Sequence, residues 1–200
     1  MNLTSCLTNT LIRKIVRKNT LTTNNYNFET ARLELKEWHS FPEESDISNK
    51  LAVIVKDILT PRVTESLPPT WQGDYTIDRA RDWINERDSE GVTLLILEKE
   101  SQSPLGLVIL FDMATGQNVA ELRLGYLLAE PAWGKGYGSE LIQGLVDHCR
   151  NQKVASIVGG VAKDNMASIR ILEKNGFVKD PETVGDEEFI FRLKLRPNNN

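Results

Sequence analysis

The chain has 200 residues, 40% hydrophobic and 26% charged, with a net charge of −4. That is length enough for one domain with a well-buried core, and its mild acidity offers no basic field of the kind that draws nucleic acid. Two cysteines, Cys6 and Cys149, and two histidines, His39 and His148, make neither a disulfide framework nor a common zinc site, so no metal is expected and the histidines read as surface or helix-packing residues.

Residues 1–26 read as an extension. Leu3, Leu7, Leu11, Ile12, Ile15 and Val16 recur at helical spacing beside Arg13, Lys14, Arg17 and Lys18, with no acid. The segment lacks the long apolar stretch and small-residue cleavage site of a secretory signal. A short docking helix and a polar linker, Asn19 to Asn25, are therefore expected in preference to a targeting or membrane-surface helix. Nothing in the chain approaches the ~20 apolar residues of a membrane span, and a reducing cytoplasm is the default compartment.

From residue 27 the pattern becomes regular. Phe28 to Lys36 reads as a first strand with Leu33 and Leu35 on one face. Asp46 to Leu59 reads as a helix, capped by Ser45 or Asp46 and ended before Pro61. Three prolines and Trp71 make Pro61 to Gly73 an irregular connection. Thr76 caps a second helix with Ile77, Ala80 and Ile84 inward, stopped at Gly91, and Trp38 and Trp83 read as core. Extended runs follow at Val92–Glu98, Leu105–Met113 and Val119–Ala129. The short turns between them, 100–104 and 114–118, favour an antiparallel meander.

A helix from Ser139 to Arg150, a buried strand from Val154 to Val161 and a helix from Asp164 to Lys174 come next. Asn175-Gly176 closes the last of these as a C-cap. Glu188 to Leu195 is the final strand, and residues 197–200 are a tail. The order predicts an α+β domain over residues 27–196, with a mainly antiparallel sheet and one βαβ crossover.

The crossover contains the most informative stretch, Trp133-Gly134-Lys135-Gly136-Tyr137-Gly138. A strand, a glycine-rich turn and a helix N-terminus together build an anion site, because glycine admits positive φ and the first helical turn has unpaired N–H groups. A Walker loop is excluded, since Gly138 is followed by Ser139-Glu140 with no lysine. The dinucleotide fingerprint fits badly, its third glycine falling on Ser139. A glycine-rich connection with no ligand is the plain alternative.

Three segments together resemble the GNAT superfamily of acetyl-CoA-dependent N-acyltransferases. The glycine loop resembles the family's pyrophosphate signature, with Gly136 and Gly138 in its glycine positions. Asn165-Met166-Ala167-Ser168, followed by Glu173-Lys174-Asn175-Gly176-Phe177, resembles a second family segment. Phe28-Glu29-Thr30-Ala31-Arg32-Leu33 resembles the opening of the branch that acetylates ribosomal-protein N-termini and certain small amines.

The resemblance implies a sheet whose fourth and fifth strands splay apart at the loop. Acetyl-CoA would be the co-substrate, its pantetheine arm lying against the backbone of Tyr126, Leu127 and Leu128. Its pyrophosphate would rest on the N–H groups of residues 134–139, from Gly134 to Ser139. Trp133 stands where many members have arginine or glutamine, and Lys135 either adds charge or points to solvent. Asn165 would bind the pantetheine or adenosine part, a role compatible with a simple helix cap. Leu172 occupies the position where many members carry an acid tyrosine, which leaves Ser168, on the same helix face as Asn165, either to stabilise the thiolate or to let the helix approach the cofactor. For the base, Glu121 on the fourth strand, Glu187 and Glu188 are candidates. Glu121 and Arg123 read instead as a cross-strand ion pair on a solvated face, and Asp186 makes the later cluster look solvated.

Trp71 and Tyr75 either line an amine pocket or pack the loop. The acceptor is an amine-bearing small molecule or a protein N-terminus, and the oligomeric state, monomer or homodimer, is open. The competing function is a catalytically degenerate acyl-CoA-binding module with a regulatory role. A third class is some other phosphate-ligand binder.

Overall fold

The fold is built on one eight-stranded sheet with helices on both faces, in a computed structural model that describes residues 25–40, 47–113, 120–152, 154–184 and 188–195. The expected extension, the cap at residues 45–46, the turn at 114–118, Glu187 with Asp186, and the tail lie outside the described residues. Tyr26, assigned to the extension, is fully buried in the core and belongs to the domain.

The strands are β1 (Phe28–Glu29), β2 (Leu33–Glu37), β3 (Val92–Glu98), β4 (Pro104–Met113), β5 (Ala120–Leu128), β6 (Val154–Ala162), β7 (Val178–Val184) and β8 (Glu188–Lys194). Their spatial order is β1-β2-β3-β4-β5-β6-β8-β7. Every neighbouring pair is antiparallel except β5 with β6, the pair joined by the crossover helix. The helices are α1 (Ile47–Ile58), the short α2 (Pro61–Thr64), α3 (Ile77–Glu90), α4 (Tyr137–Arg150) and α5 (Met166–Lys174).

Strand alternation divides the core in two. Leu94, Ile96, Val108, Leu110, Leu122 and Leu124 face α4 and α5, where Leu141, Ile142, Leu145 and Leu172 meet them. Leu95, Leu97, Leu107, Ile109 and Leu127 face the opposite way, toward Leu51, Val55, Ala80, Trp83 and Ile84 of α1 and α3. β3 and β4 are therefore apolar at nearly every position, because both of their faces are covered. Thr76 caps α3 by accepting from the Arg79 amide. The α5 terminus closes as expected: Phe177 N–H donates to Leu172 O and Gly176 N–H to Glu173 O, with Gly176 at φ 84°.

Two elements differ from expectation. The single strand over residues 28–36 is a hairpin of β1 and β2, paired Phe28 to Leu35. Thr30 breaks it by accepting the Leu33 amide on its hydroxyl, a local side-chain bond that competes with an extended ladder. β7 was not expected, since Pro181 lies within it. Proline is tolerated there because β7 is the sheet edge, where one row of backbone groups needs no partner. The connection after α1 is also more ordered than its prolines suggest, with Thr60 capping α2.

Gly106 sits tight against β5, since a Cβ there would stand 2.2 Å from the Leu127 carbonyl oxygen. Backbone cannot swing aside as a side chain can. Gly106→Ala should therefore destabilise the domain by about 1–3 kcal/mol, seen as a loss of several degrees in thermal melting. A melting temperature equal to wild type would mean that β4 and β5 can separate at this point without cost.

Candidate active site

The parallel ladder between β5 and β6 is short. It runs from Ala120 opposite Val154 to Arg123 opposite Val158 and stops, although β5 continues to Leu128 and β6 to Ala162. Beyond it the strands part, and the gap is the expected splay between the fourth and fifth predicted strands. Gly159 and Gly160 sit on the β6 side of the gap and put no side chains into it. The resulting cleft holds about 90 Å³ and runs through the sheet. Tyr126, Asn165, Ser168 and Leu172 line its α5 side, and Ser66, from the turn after α2, closes the other.

Backbone direction along β5 follows from one bond. Ala129 N–H donates to Leu105 O, so by antiparallel alternation Leu127 also spends its backbone groups on β4, opposite Leu107. Leu124, Tyr126 and Leu128 turn theirs toward the gap. The Leu128 carbonyl is taken, accepting from the Trp133 indole at 2.7 Å. Tyr126 with its N–H and C=O, and Leu128 with its N–H, are thus the residues that present backbone to the cleft. Leu127 does not: its backbone serves β4 and its side chain is buried among α1 and α3.

Where β5 ends, the chain passes through a short 3-10 turn, Glu130–Ala132, into the glycine loop. Gly134 and Gly136 take φ of 71° and 81°, the left-handed region that glycine enters without strain. Gly136 is the residue before α4 and supplies no side-chain cap. The first-turn amides, including those of Tyr137, Gly138 and Ser139, have no preceding helical carbonyl to meet, and they stand at the positive end of the helix dipole. A Cβ at Gly134 would meet nothing within 4 Å, so this stretch of backbone is open to a ligand. Gly138 has a different reason to be glycine. A Cβ there would lie 2.8 Å from Ile171 Cδ1 and 3.5 Å from Leu128 Cδ1, so Gly138 lets α4 pack on α5 and β5.

A clamp from the β1–β2 hairpin holds the loop. Glu140, in the first turn of α4, accepts from the Thr30 hydroxyl (2.6 Å), the Arg32 amide (2.7 Å) and Arg32 Nε (2.7 Å). The Arg32 guanidinium also donates to the Lys135 carbonyl at 3.0 Å and lies 4.3 Å over the Tyr137 ring. The Tyr137 hydroxyl donates to Glu98 of β3. Burial pushes the Glu140 carboxyl up, but the Thr30 hydroxyl and Arg32 outweigh it and hold it below its ordinary range. Sequence reading gave Arg32, Glu140 and Thr30 no role, since nothing local marks a bond across more than 100 positions.

Asn165 is the N-cap of α5, accepting from the Ser168 amide at 3.1 Å, and its side-chain NH2 remains to donate. Lys135 and Trp133 are exposed at the loop, and Arg62 lies 5.2 Å over the Trp133 ring. Tyr126 brings a side chain as well as backbone. Its hydroxyl is buried without a hydrogen-bond partner, at an ordinary cost of roughly 1–3 kcal/mol.

The carboxylates divide. Glu121 lies where the ladder is still closed, accepting from Ser156 Oγ at 2.5 Å and from Arg192 of β8. Its ion-pair partner is thus Arg192 and not Arg123. Glu188 does not line the cleft but lies over Gly160, which does: a Cβ on Gly160 would meet its Oε2 at 2.7 Å. It lies on the face opposite α5, the side that Ser66 closes. Trp71 and Tyr75 pack the loop, Trp71 edge-on to Trp83 at 5.4 Å and the Tyr75 hydroxyl donating to Trp71 O, and neither lines the cleft. Cys149 is buried, its thiol pushed up to about 12 by that burial, so it is no nucleophile. Among the described residues, no cluster could hold a metal ion and no helix is long and apolar enough to cross a membrane.

The fold has known counterparts. The acetyltransferase (GNAT) domain family matches residues 41–178. An uncharacterized N-acetyltransferase of Bacillus licheniformis, p20, is 31% identical over 126 residues, 60% of this chain and 68% of that protein. Among solved structures, a GNAT-family acetyltransferase from Bacillus anthracis is similar with a TM-score of 0.66 at 17% identity, over 84% of this chain and 98% of that one. A ribosomal L7/L12 alpha-N-protein acetyltransferase (RimL) in complex with coenzyme A is similar with a TM-score of 0.63 at 18% identity, over 83% and 96%. The residues described above fit a CoA-type group: an unpaired strand edge for an extended amide-bearing arm, leading to open, uncapped amides for a pyrophosphate.

Two outcomes follow from the loop. Gly136→Val forces a branched residue into a left-handed conformation costing about 1–2 kcal/mol and crowds the first-turn amides. It should weaken CoA binding at least about tenfold, or 1.4 kcal/mol, by calorimetry, while circular dichroism keeps the native signal; unchanged affinity would remove the phosphates from this loop. Because the Glu140 carboxyl is held below its ordinary value of 4.5, its contribution is present above that value and lost as pH falls through the lower folded one. Glu140→Gln should therefore melt below wild type at neutral pH, with a gap that closes on acidification. A gap independent of pH would deny the clamp its charge.

Proposed function

The chain belongs to the GNAT acetyltransferase family, whose co-substrate is acetyl-CoA, and from that premise we propose that it moves an acetyl group to a primary amine by direct transfer in a ternary complex. The amine is that of a small molecule or a protein N-terminus. One observation carries the reading: the unpaired edge of β5 at Tyr126 and Leu128 runs directly into the open amides of the glycine loop. A cleft that passes through the sheet lets donor and acceptor approach from opposite faces.

When bound, acetyl-CoA supplies an acetyl thioester, a carbonyl that amines attack and a thiolate that leaves. Tyr126 and Leu128 would pair with the pantetheine amides as a missing strand would. The amides from Gly134 to Ser139 would hold the pyrophosphate, with Lys135 adding charge, while Trp133 walls the turn between them. Asn165 would donate its side-chain NH2 to the arm, and Ser168 would hydrogen-bond near the sulfur.

An amine must be deprotonated to attack, and of the carboxylates the sequence suggested, Glu188 has the better position. Its carboxylate lies over Gly160, a residue of the cleft wall, whereas Glu121 is engaged with Arg192 and Ser156. The inertness of Cys149 supports direct transfer over an acyl-enzyme.

Thiol release from acetyl-CoA across a panel of peptides with free N-termini, polyamines, aminoglycosides and amino acids tests the activity. Turnover with at least one class is expected, and tight CoA binding with none across the panel would favour a regulatory acyl-CoA-binding module. With the best acceptor, Glu188→Gln should lower kcat/KM by about 100-fold, the usual range for a general base, and flatten the acid limb of the pH profile. Glu121→Gln giving that result instead would move the base to β5.

A further inference from the structure

The wall that closes the cleft opposite α5 is hung from the donor side of the same cleft. Ser66 forms that wall, just after α2. α2 is a single turn, Pro61–Thr64, too short to stand without tertiary support. Val63 and Thr64 bury its inner side, and two bonds from its first turn end on Glu130. The Thr60 hydroxyl accepts from the Val63 amide at 3.3 Å, capping the turn, and donates to Glu130 Oε1 at 2.6 Å. Arg62 donates to Glu130 Oε2 at 3.2 Å.

Glu130 is a firm point of attachment. The Ala129 amide before it donates to Leu105 O, and its own carbonyl accepts from the Trp133 amide at 3.1 Å. Pro131 fixes φ directly after it. Glu130 is therefore held by the end of β5, the strand whose edge at Tyr126 and Leu128 faces the gap. Through Thr60 it places the Ser66 wall by reference to that edge. Glu130 does not itself line the cleft, so it acts through α2.

We propose that Glu130 is a positioning residue for the acceptor amine: it ties the Ser66 wall to the end of the donor strand and so sets where the amine stands relative to the thioester. This rests on the acetyltransferase reading above. Attack on the thioester carbonyl needs the amine nitrogen about 3–3.5 Å away and aligned, and a small displacement of one reactant lowers the rate without unfolding anything. The Thr60 hydroxyl supplies the main part of the hold. Arg62 is 70% exposed, so its ion pair with Glu130 is screened and contributes little.

Variants of the full chain test this with the amine that turns over best. Glu130→Ala removes the acceptor of both bonds, and kcat/KM for the amine should fall by roughly 10- to 100-fold, while CoA affinity by calorimetry stays that of wild type. Glu130→Gln keeps an oxygen for the Thr60 hydroxyl and loses only the charge, so it should turn over like wild type. Thr60→Val should lose at least as much as Glu130→Ala. The double variant Thr60→Val/Glu130→Ala should then lose no more than the worse single one, because the two remove one contact. Wild-type kcat/KM for the amine in Glu130→Ala would overturn the proposal while leaving the acetyltransferase reading intact. An equal fall in CoA affinity would make Glu130 a prop of the glycine loop and overturn it too, as would losses that simply add in the double variant. Impairment of Glu130→Gln to the level of Glu130→Ala would deny the route through Thr60. A wild-type chain that binds CoA and turns over no amine would sink both readings.

Discussion

The structure depends on a parallel ladder that ends early. Backbone N–H and C=O groups inside a sheet normally all find partners, and β5 and β6 satisfy theirs only from Ala120–Val154 to Arg123–Val158. Past that point β5 keeps its bonds to β4, and its other edge faces a gap. Among the described residues, the Trp133 indole takes the Leu128 carbonyl on that edge. A strand edge inside a domain is expensive to leave bare, and it is useful to a ligand that is itself a chain of amides.

Everything near the gap serves to keep it open and aimed. Gly159 and Gly160 keep the β6 wall free of side chains, while the Glu188 carboxylate lies over the second of them. Gly138 allows α4 to approach Ile171, which fixes the angle between the loop's helix and α5. The Arg32–Glu140–Thr30 clamp then ties the start of α4 to the β1–β2 hairpin, and Tyr137 ties it to Glu98 on β3. The first turn of α4 is thus held from two strands while its amides stay free. These contacts fix the loop without using its own donors.

Much of this was legible in the chain. The elements from Thr76 to Gly176 lie close to their expected bounds because each has a local signature: a capping threonine, strict apolar runs, an Asn-Gly stop. The glycine loop stands where the chain placed it, between a strand and a helix. The hairpin at Thr30 and the edge strand carrying Pro181 were less legible, since both are decided by partners distant in sequence. The glycine pair at 159–160 did carry a signal, because two glycines inside an apolar strand weaken it unless something approaches closely.

By itself the sequence determined the α+β order, since periodicity, capping and glycine placement act within a few positions, and its family resemblance pointed to the donor. Only the tertiary structure decided which member of each pair does which job. It turned Leu127 toward β4 and Tyr126 toward the cleft, because antiparallel alternation is set by the register with β4. It made Gly136 a conformational glycine and Gly138 a packing one, because only the contact with Ile171 separates them. It laid Glu188 over Gly160 and put Glu121 in an ion pair, because the point where β5 and β6 part is a property of two strands together and of neither one alone.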